Sequence, residues 1–248
     1  MRTLITGASA GLGEGMAREL AARGHDLALV ARRLDRLEAL RDELAPTGVR
    51  IVVATLDVDD HDAVFTTFRA IRDELGGLDR VIVNAGVGKG APIGTGRFDV
   101  NLATARTNFV AALAQCEAAM EHFYERNAGH LVVISSVSAM RGMPGSITAY
   151  AATKAGVAHV AEGIRSDLLK HKGHDIKVTT LFPGYIASEM NEGVEQEIRM
   201  MVDTETGCKA MVKAIEKEVV DSAIPPWPWS PLSQFMKHAP LSVLRRMM

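Results

Sequence analysis

The chain has 248 residues, 47% of them hydrophobic and 23% charged, and a formal net charge of -2. That is enough apolar material for one substantial core, and no basic excess points to nucleic acid as a partner. The two cysteines, Cys116 and Cys208, lie too far apart in sequence to suggest a metal cluster, so reduced thiols and no bound metal are expected.

Met1-Arg2 leads directly into Thr3-Leu4-Ile5, without the apolar stretch and cleavage site of a secretory leader, and no apolar run is long enough to span a bilayer. A cytoplasmic location is therefore expected. Thr3 to Thr6 reads as a strand and Leu12 to Arg23 as a helix closed by Gly24. Asp26 to Ala31 is a second strand, and Leu34 to Leu44 a helix ended by Pro46 and Gly48. Arg50 to Thr55, a helix from His61 to Leu75, and Arg80 to Asn84 follow. One long helix is predicted over about Asp99 to Arg126, then a strand from His130 to Ser135 and a helix from Thr148 to Lys170. A sixth strand, Ile176 to Phe182, ends at Pro183-Gly184, and Val219 to Ile224 offers a seventh. Strands rich in Val, Ile and Leu, each followed by a helix, predict an α/β fold: a Rossmann-like doubly wound parallel sheet of about seven strands with helices on both faces. Ligands bind such sheets at the carboxyl ends of the strands, where strand order reverses. Residues 1–224 are read as one Rossmann-like domain and 225–248 as an extension.

The first strand runs into Thr6-Gly7-Ala8-Ser9-Ala10-Gly11-Leu12-Gly13. A glycine-rich turn between a strand and a helix lets backbone approach a pyrophosphate and aims the helix N-terminus at it. At the end of the second strand, Arg32 and Arg33 stand where an NAD-preferring chain places an acid, and a guanidinium fork suits a ribose 2′-phosphate. Tyr150-Ala151-Ala152-Thr153-Lys154 puts a phenol and an ammonium on one helix face. A nearby ammonium lowers a phenol's pKa and so fits it for proton transfer.

The Thr-Gly-x3-Gly-x-Gly turn, Asn84-Ala85-Gly86 and Tyr150-x3-Lys154 together resemble the short-chain dehydrogenase/reductase family, over about Thr3 to Met190. The resemblance implies a nicotinamide cofactor, read as NADP(H) because of Arg32, with Arg33 assisting. It assigns Gly7, Ser9, Gly11, Leu12 and Gly13 to the phosphates, Asp57 and Val58 to the adenine, and Asn84, Ala85 and Gly86 to the sheet beside the cofactor. Pro183, Gly184, Ile186 and Ser188 then contact the nicotinamide, with Ile and Ser in place of the family's Val and Thr. It makes Tyr150 the acid or base, and Lys154 its modulator and the holder of the nicotinamide ribose. Asn108 holds a water, with Asn101 a solvent-facing or capping decoy. The family serine corresponds to Ser136 by strand position, with Ser138 next, although the spacing to Tyr150 is one residue longer than usual.

Implied with these are a small-molecule carbonyl or alcohol substrate and a homodimer or homotetramer. An NAD-linked alcohol dehydrogenase, a cofactor-binding regulator without turnover, and an isomerase or dehydratase are the rival readings. The segment from Ser188 to Val212 is expected to form a substrate lid, softened by Met190, Met200, Met201 and Met211. The end of the chain holds Pro225-Pro226-Trp227-Pro228-Trp229 and has no acid after Asp221. Three roles are open to it: covering an apolar substrate pocket, packing on a partner subunit, or lying on a membrane surface.

Overall fold

The computed structural model describes residues 1–88, 90–170, 173–187 and 201–247, with backbone alone for 245–247. Seven parallel strands form one sheet: β1 Arg2–Thr6, β2 Asp26–Ala31, β3 Ile51–Thr55, β4 Arg80–Val83, β5 Ala128–Ile134, β6 Asp175–Pro183 and β7 Asp221–Ile224. Their spatial order is β3-β2-β1-β4-β5-β6-β7, so the winding reverses between β1 and β4, where Leu4 pairs with Val81 and Ile5 with Ile82. The doubly wound sheet expected from the alternation of strands and helices is the observed fold. Among the described residues no helix is long and apolar enough to cross a membrane.

The strands are apolar on both faces because helices cover both. Leu4, Val30, Val81, Val83, Leu131, Val133 and Val178 share one core with Phe68, Phe123 and Val157. Those partners come from α3 (His61–Leu75), α5 (Ala111–Arg126) and α6 (Thr148–Lys170). Ile5, Leu29, Ile82, Val132, Ile134 and Leu181 point the other way, onto α1 (Gly11–Ala21), α2 (Leu34–Leu44) and α7 (Thr204–Glu216). Met211 lies fully inside this second core, so it is a packing residue of α7 rather than part of a lid. Met201 is exposed, and Met190 and Met200 fall outside the described residues.

The predicted helix Asp99–Arg126 is three segments in succession: α4 (Phe98–Ala105), a wider π-helical turn at Arg106–Val110, and α5. Such turns gather at functional sites, and this one contains Asn108. Beyond β7, α8 (Pro226–His238) and α9 (Leu241–Met247) fold back on the molecule. Trp229 packs with Val137, Ala223 and Phe182. Met236, Ala239 and Leu244 pack with Met140 and Met143. Arg141 Nη1 also donates to the Lys237 carbonyl at 3.0 Å. The extension thus rests on the turn that follows β5.

Candidate active site

The glycine turn is built at the winding reversal. Gly7 has φ +66, in the left-handed region that glycine enters freely. A Cβ on Gly13 would overlap the Gly7 carbonyl and lie 2.8 Å from Asn84 Nδ2, so only glycine lets α1 start this close to the sheet. Asn84 ties the two sides of the reversal: its Nδ2 donates to the Thr6 carbonyl at 2.9 Å. Thr6 Oγ1 in turn accepts the backbone N–H groups of Asn84 and Ala85, each at 3.0 Å. The N-cap of α1 is Ala10, which has no side chain to satisfy the first N–H groups of the helix. Those donors therefore stay available to an anion, as a dinucleotide pyrophosphate requires.

Arg33, rather than Arg32, is bound to this turn: its Nε donates to Ser9 Oγ at 3.2 Å. Arg32 is exposed at the end of β2. At the end of β3, Asp57 is exposed, with its Oδ1 accepting the Asp59 N–H at 3.1 Å, and Val58 is buried below it.

The serine run after β5 divides its work. Ser135 Oγ donates to the Lys154 carbonyl at 2.8 Å and anchors α6. Ser136 Oγ accepts from the Ser138 N–H at 3.2 Å and from the Ser138 hydroxyl at 3.0 Å. With both acceptor positions taken, the Ser136 proton is left for the Tyr150 phenol, its hydrogen-bond partner. Two short helical turns, Val137–Met140 and Gly145–Ile147, take up the longer spacing between Ser136 and Tyr150.

Tyr150 is half-buried at the start of α6. Burial pushes its phenol above the ordinary value, the bond to Ser136 pulls it down, and the nearby Tyr185 pushes it up again. The buried Lys154 Nζ donates to the Ile134 carbonyl at 2.8 Å and lies 6.0 Å from the Tyr150 ring centre. One of the three ammonium protons is thereby spent on the carbonyl at the end of β5. Burial pulls the Lys154 pKa down to about 8.

Asn108 spends its amide on the loop after β4: Oδ1 accepts the Val87 N–H at 2.7 Å and Nδ2 donates to the Val87 carbonyl at 2.8 Å. Its side chain thus grips the Val87 backbone at both amide atoms. A Cβ on Gly86 would lie 3.0 Å from Asn108 Oδ1 and 3.5 Å from Lys154 Nζ, so these three residues meet at one point. Asn101 is no surface decoy. It makes the same paired grip on Ala91, accepting its N–H at 2.9 Å and donating to its carbonyl at 3.1 Å. The seven-residue spacing of Asn101 and Asn108, which puts both on one helix face, was the available signal for this second grip.

Beyond β6, Pro183 is buried, the Gly184 N–H donates to the Ile224 carbonyl at 2.8 Å, and Ile186 is buried beside Gly207 of α7. Ala187 N–H donates to the Val202 carbonyl at 2.9 Å and Val202 N–H to the Tyr185 carbonyl at 3.1 Å, joining the end of β6 to the approach to α7. Ser188 lies outside the described residues. Tyr185 and Trp229 stand against Gly184; neither is singled out by any motif, because both act through tertiary contact.

The short-chain dehydrogenase family model matches residues 2–199. The chain belongs to the short-chain dehydrogenase family. An uncharacterized oxidoreductase of Mycobacterium tuberculosis is 51% identical over 99% of this chain and 96% of its own length. Gluconate 5-dehydrogenase of Gluconobacter oxydans is 34% identical over 77% of this chain and 73% of its own. The closed form of serine dehydrogenase complexed with NADP+ superposes with a TM-score of 0.76 at 26% identity, covering 86% of this chain and 88% of that one. A short-chain dehydrogenase is an oxidoreductase that works with a bound nicotinamide nucleotide, and the glycine turn, with its free helix N–H groups, suits one.

Proposed function

We propose that this short-chain dehydrogenase is an NADP(H)-dependent carbonyl reductase or alcohol dehydrogenase acting on a small, apolar ketone or alcohol. One observation carries the reading. Ser136, bonded to Ser138, is the hydrogen-bond partner of Tyr150, beside the buried Lys154 and the Gly86–Asn108 junction. Preference for the 2′-phosphate is supported by Arg33 on Ser9, with Arg32 exposed beside it, and by the NADP+ complex of the serine dehydrogenase neighbour.

When bound, the nicotinamide supplies or accepts the hydride. The residues of the chain handle the oxygen. A carbonyl oxygen in the site takes hydrogen bonds from Tyr150 and Ser136. As negative charge grows on that oxygen, Tyr150 gives up its proton, and carbonyl plus hydride plus proton becomes alcohol. The Lys154 ammonium, 6.0 Å from the ring centre, favours the phenolate left behind. Asn108 shapes the turn facing Lys154, and Asn101 holds the next stretch of the same loop. Residues 225–248 cover the substrate entrance in this reading, supported by their packing on Val137, Met140 and Met143. A cytoplasmic homodimer or homotetramer completes it, on the family resemblance.

The test is NADPH consumption across ketones, aldehydes, quinones and 3-oxoacyl thioesters, with Tyr150→Phe as control. We expect turnover with at least one class, and a loss of about a thousandfold in the control. Tight NADPH binding with no turnover on any class would instead favour a non-catalytic cofactor-binding protein.

A further inference from the structure

Trp229 comes from the extension, far in sequence from the chemistry, yet two walls of the proposed site rest on its ring. It is 3% exposed. On one side it packs with Val137, the neighbour of Ser136. On the other it lies so close to Gly184 that a Cβ there would overlap its Cε2 and Nε1. Gly184 cannot retreat, because its N–H is held by the Ile224 carbonyl. Tyr185, the next residue, meets the indole edge-on, with ring centres 5.7 Å apart and planes at 62°. Tyr185 is 41% exposed, so part of its ring remains open to solvent beyond the contact with the indole. The indole N–H is buried and, among the described residues, has no hydrogen-bond partner. The residue is held for its shape rather than for a polar contact.

We propose that Trp229 is a positioning residue for hydride transfer. It is a rigid spacer that sets the distance between the Ser136–Val137 wall and the Gly184–Tyr185 wall. This rests on the functional reading above, in which Gly184 belongs to the nicotinamide subsite and Ser136 binds the substrate oxygen. Reacting groups must be held closely, and a displacement of about 1 Å costs about a hundredfold in rate. The spacer therefore acts on turnover and on the nicotinamide end of the cofactor. The phosphate end, held by the glycine turn, is remote from it.

The test uses the full chain and four variants: Trp229→Ala, Trp229→Phe, Gly184→Ala, and Gly184→Ala combined with Trp229→Leu. Turnover, NADPH dissociation constant and emission of the bound reduced nicotinamide are measured on each. We expect Trp229→Ala to lower kcat by about tenfold or more and shift the nicotinamide emission, with NADPH affinity changing by less than about threefold. Trp229→Phe should recover most of the rate. Gly184→Ala should be slow through its clash, and the double variant faster than Gly184→Ala alone, because the smaller side chain restores the space. The proposal is overturned if Trp229→Ala leaves turnover and emission unchanged, if turnover and NADPH affinity fall together with the folded fraction, or if the double variant is no faster than Gly184→Ala. Wild-type protein that fails to bind NADPH would overturn the functional reading itself, a result distinct from any of these.

Discussion

The two ends of the central sheet bury polar groups in opposite ways. At the amino end, Arg80, 2% exposed, donates from Nε to His130 Nδ1 at 3.0 Å. His130 Nε2 meets Thr179 Oγ1 at 2.9 Å, and that hydroxyl donates to the Val219 carbonyl at 2.6 Å. Because the Thr179 proton is spent on Val219, His130 must donate from Nε2 and accept at Nδ1, which makes it the neutral tautomer. Burial, then the charges of Arg80 and Lys177, hold its pKa down at about 3. Both ring nitrogens are used within the protein, so this chain can only hold β4, β5, β6 and the approach to β7 together. At the carboxyl end, Lys154 is buried and Tyr150 half-buried; the phenol is paired with Ser136, and burial draws the ammonium to about 8. Both nitrogens of the buried His130 ring are tied to protein partners, which makes structure; the Tyr150–Lys154 pair beside the glycine turn, where a cofactor fits, makes a candidate site.

Substitutions at the two ends should separate stability from turnover. The largest stability effect is expected for His130→Leu. It leaves the Arg80 guanidinium buried without its acceptor and should cost about 3–5 kcal/mol in denaturant unfolding, with the rate per folded molecule unchanged. The same histidine gives the molecule an acid slope. Its folded pKa lies below the unfolded value of 6.5, so the unfolded chain binds the extra proton between pH 6.5 and about 3. Its contribution is therefore complete above pH 6.5 and declines below it by about 1.4 kcal/mol per pH unit, down to about pH 3. Unfolding curves across that range should show a shallower slope in His130→Leu than in the wild type, the remainder coming from groups such as His25 and His122, which burial also holds below the ordinary value.

Smaller effects are expected at the rim of the site. Arg33→Ala should weaken NADPH by about tenfold and leave NADH nearly unchanged, since it removes one charge-assisted contact. Equal losses for both nucleotides would mean that Arg33 only braces the turn through Ser9. Asn101→Ala should be the mildest, costing about 1 kcal/mol of stability and raising KM more than it lowers kcat. A fall in kcat alone would place Asn101 nearer the chemistry than its grip on Ala91 implies.

Much of the fold could be read from local signals. Helices Leu34–Leu44, His61–Leu75 and Thr148–Lys170 begin and end where their periodicity and flanking Gly or Pro predict. The site was legible in its motifs but not in its wiring. Asn108 grips Val87 from a π-helical turn, Lys154 bonds to Ile134, and Arg33 reaches Ser9. Each of these depends on a carbonyl or hydroxyl brought near by the sheet. The same holds for Trp229, whose neighbours Val137 and Gly184 come from other strands' ends. Periodicity reports which face a residue occupies; it does not report which partner waits there.

The most direct measurement is NADPH consumption per folded molecule in Tyr150→Phe and His130→Leu, compared side by side with the wild type on the same substrate. We expect Tyr150→Phe to fold normally and lose about a thousandfold in rate, and His130→Leu to melt early but turn over at the wild-type rate while folded. Retained turnover in Tyr150→Phe, or turnover lost in folded His130→Leu, would contradict the division between the two ends of the sheet.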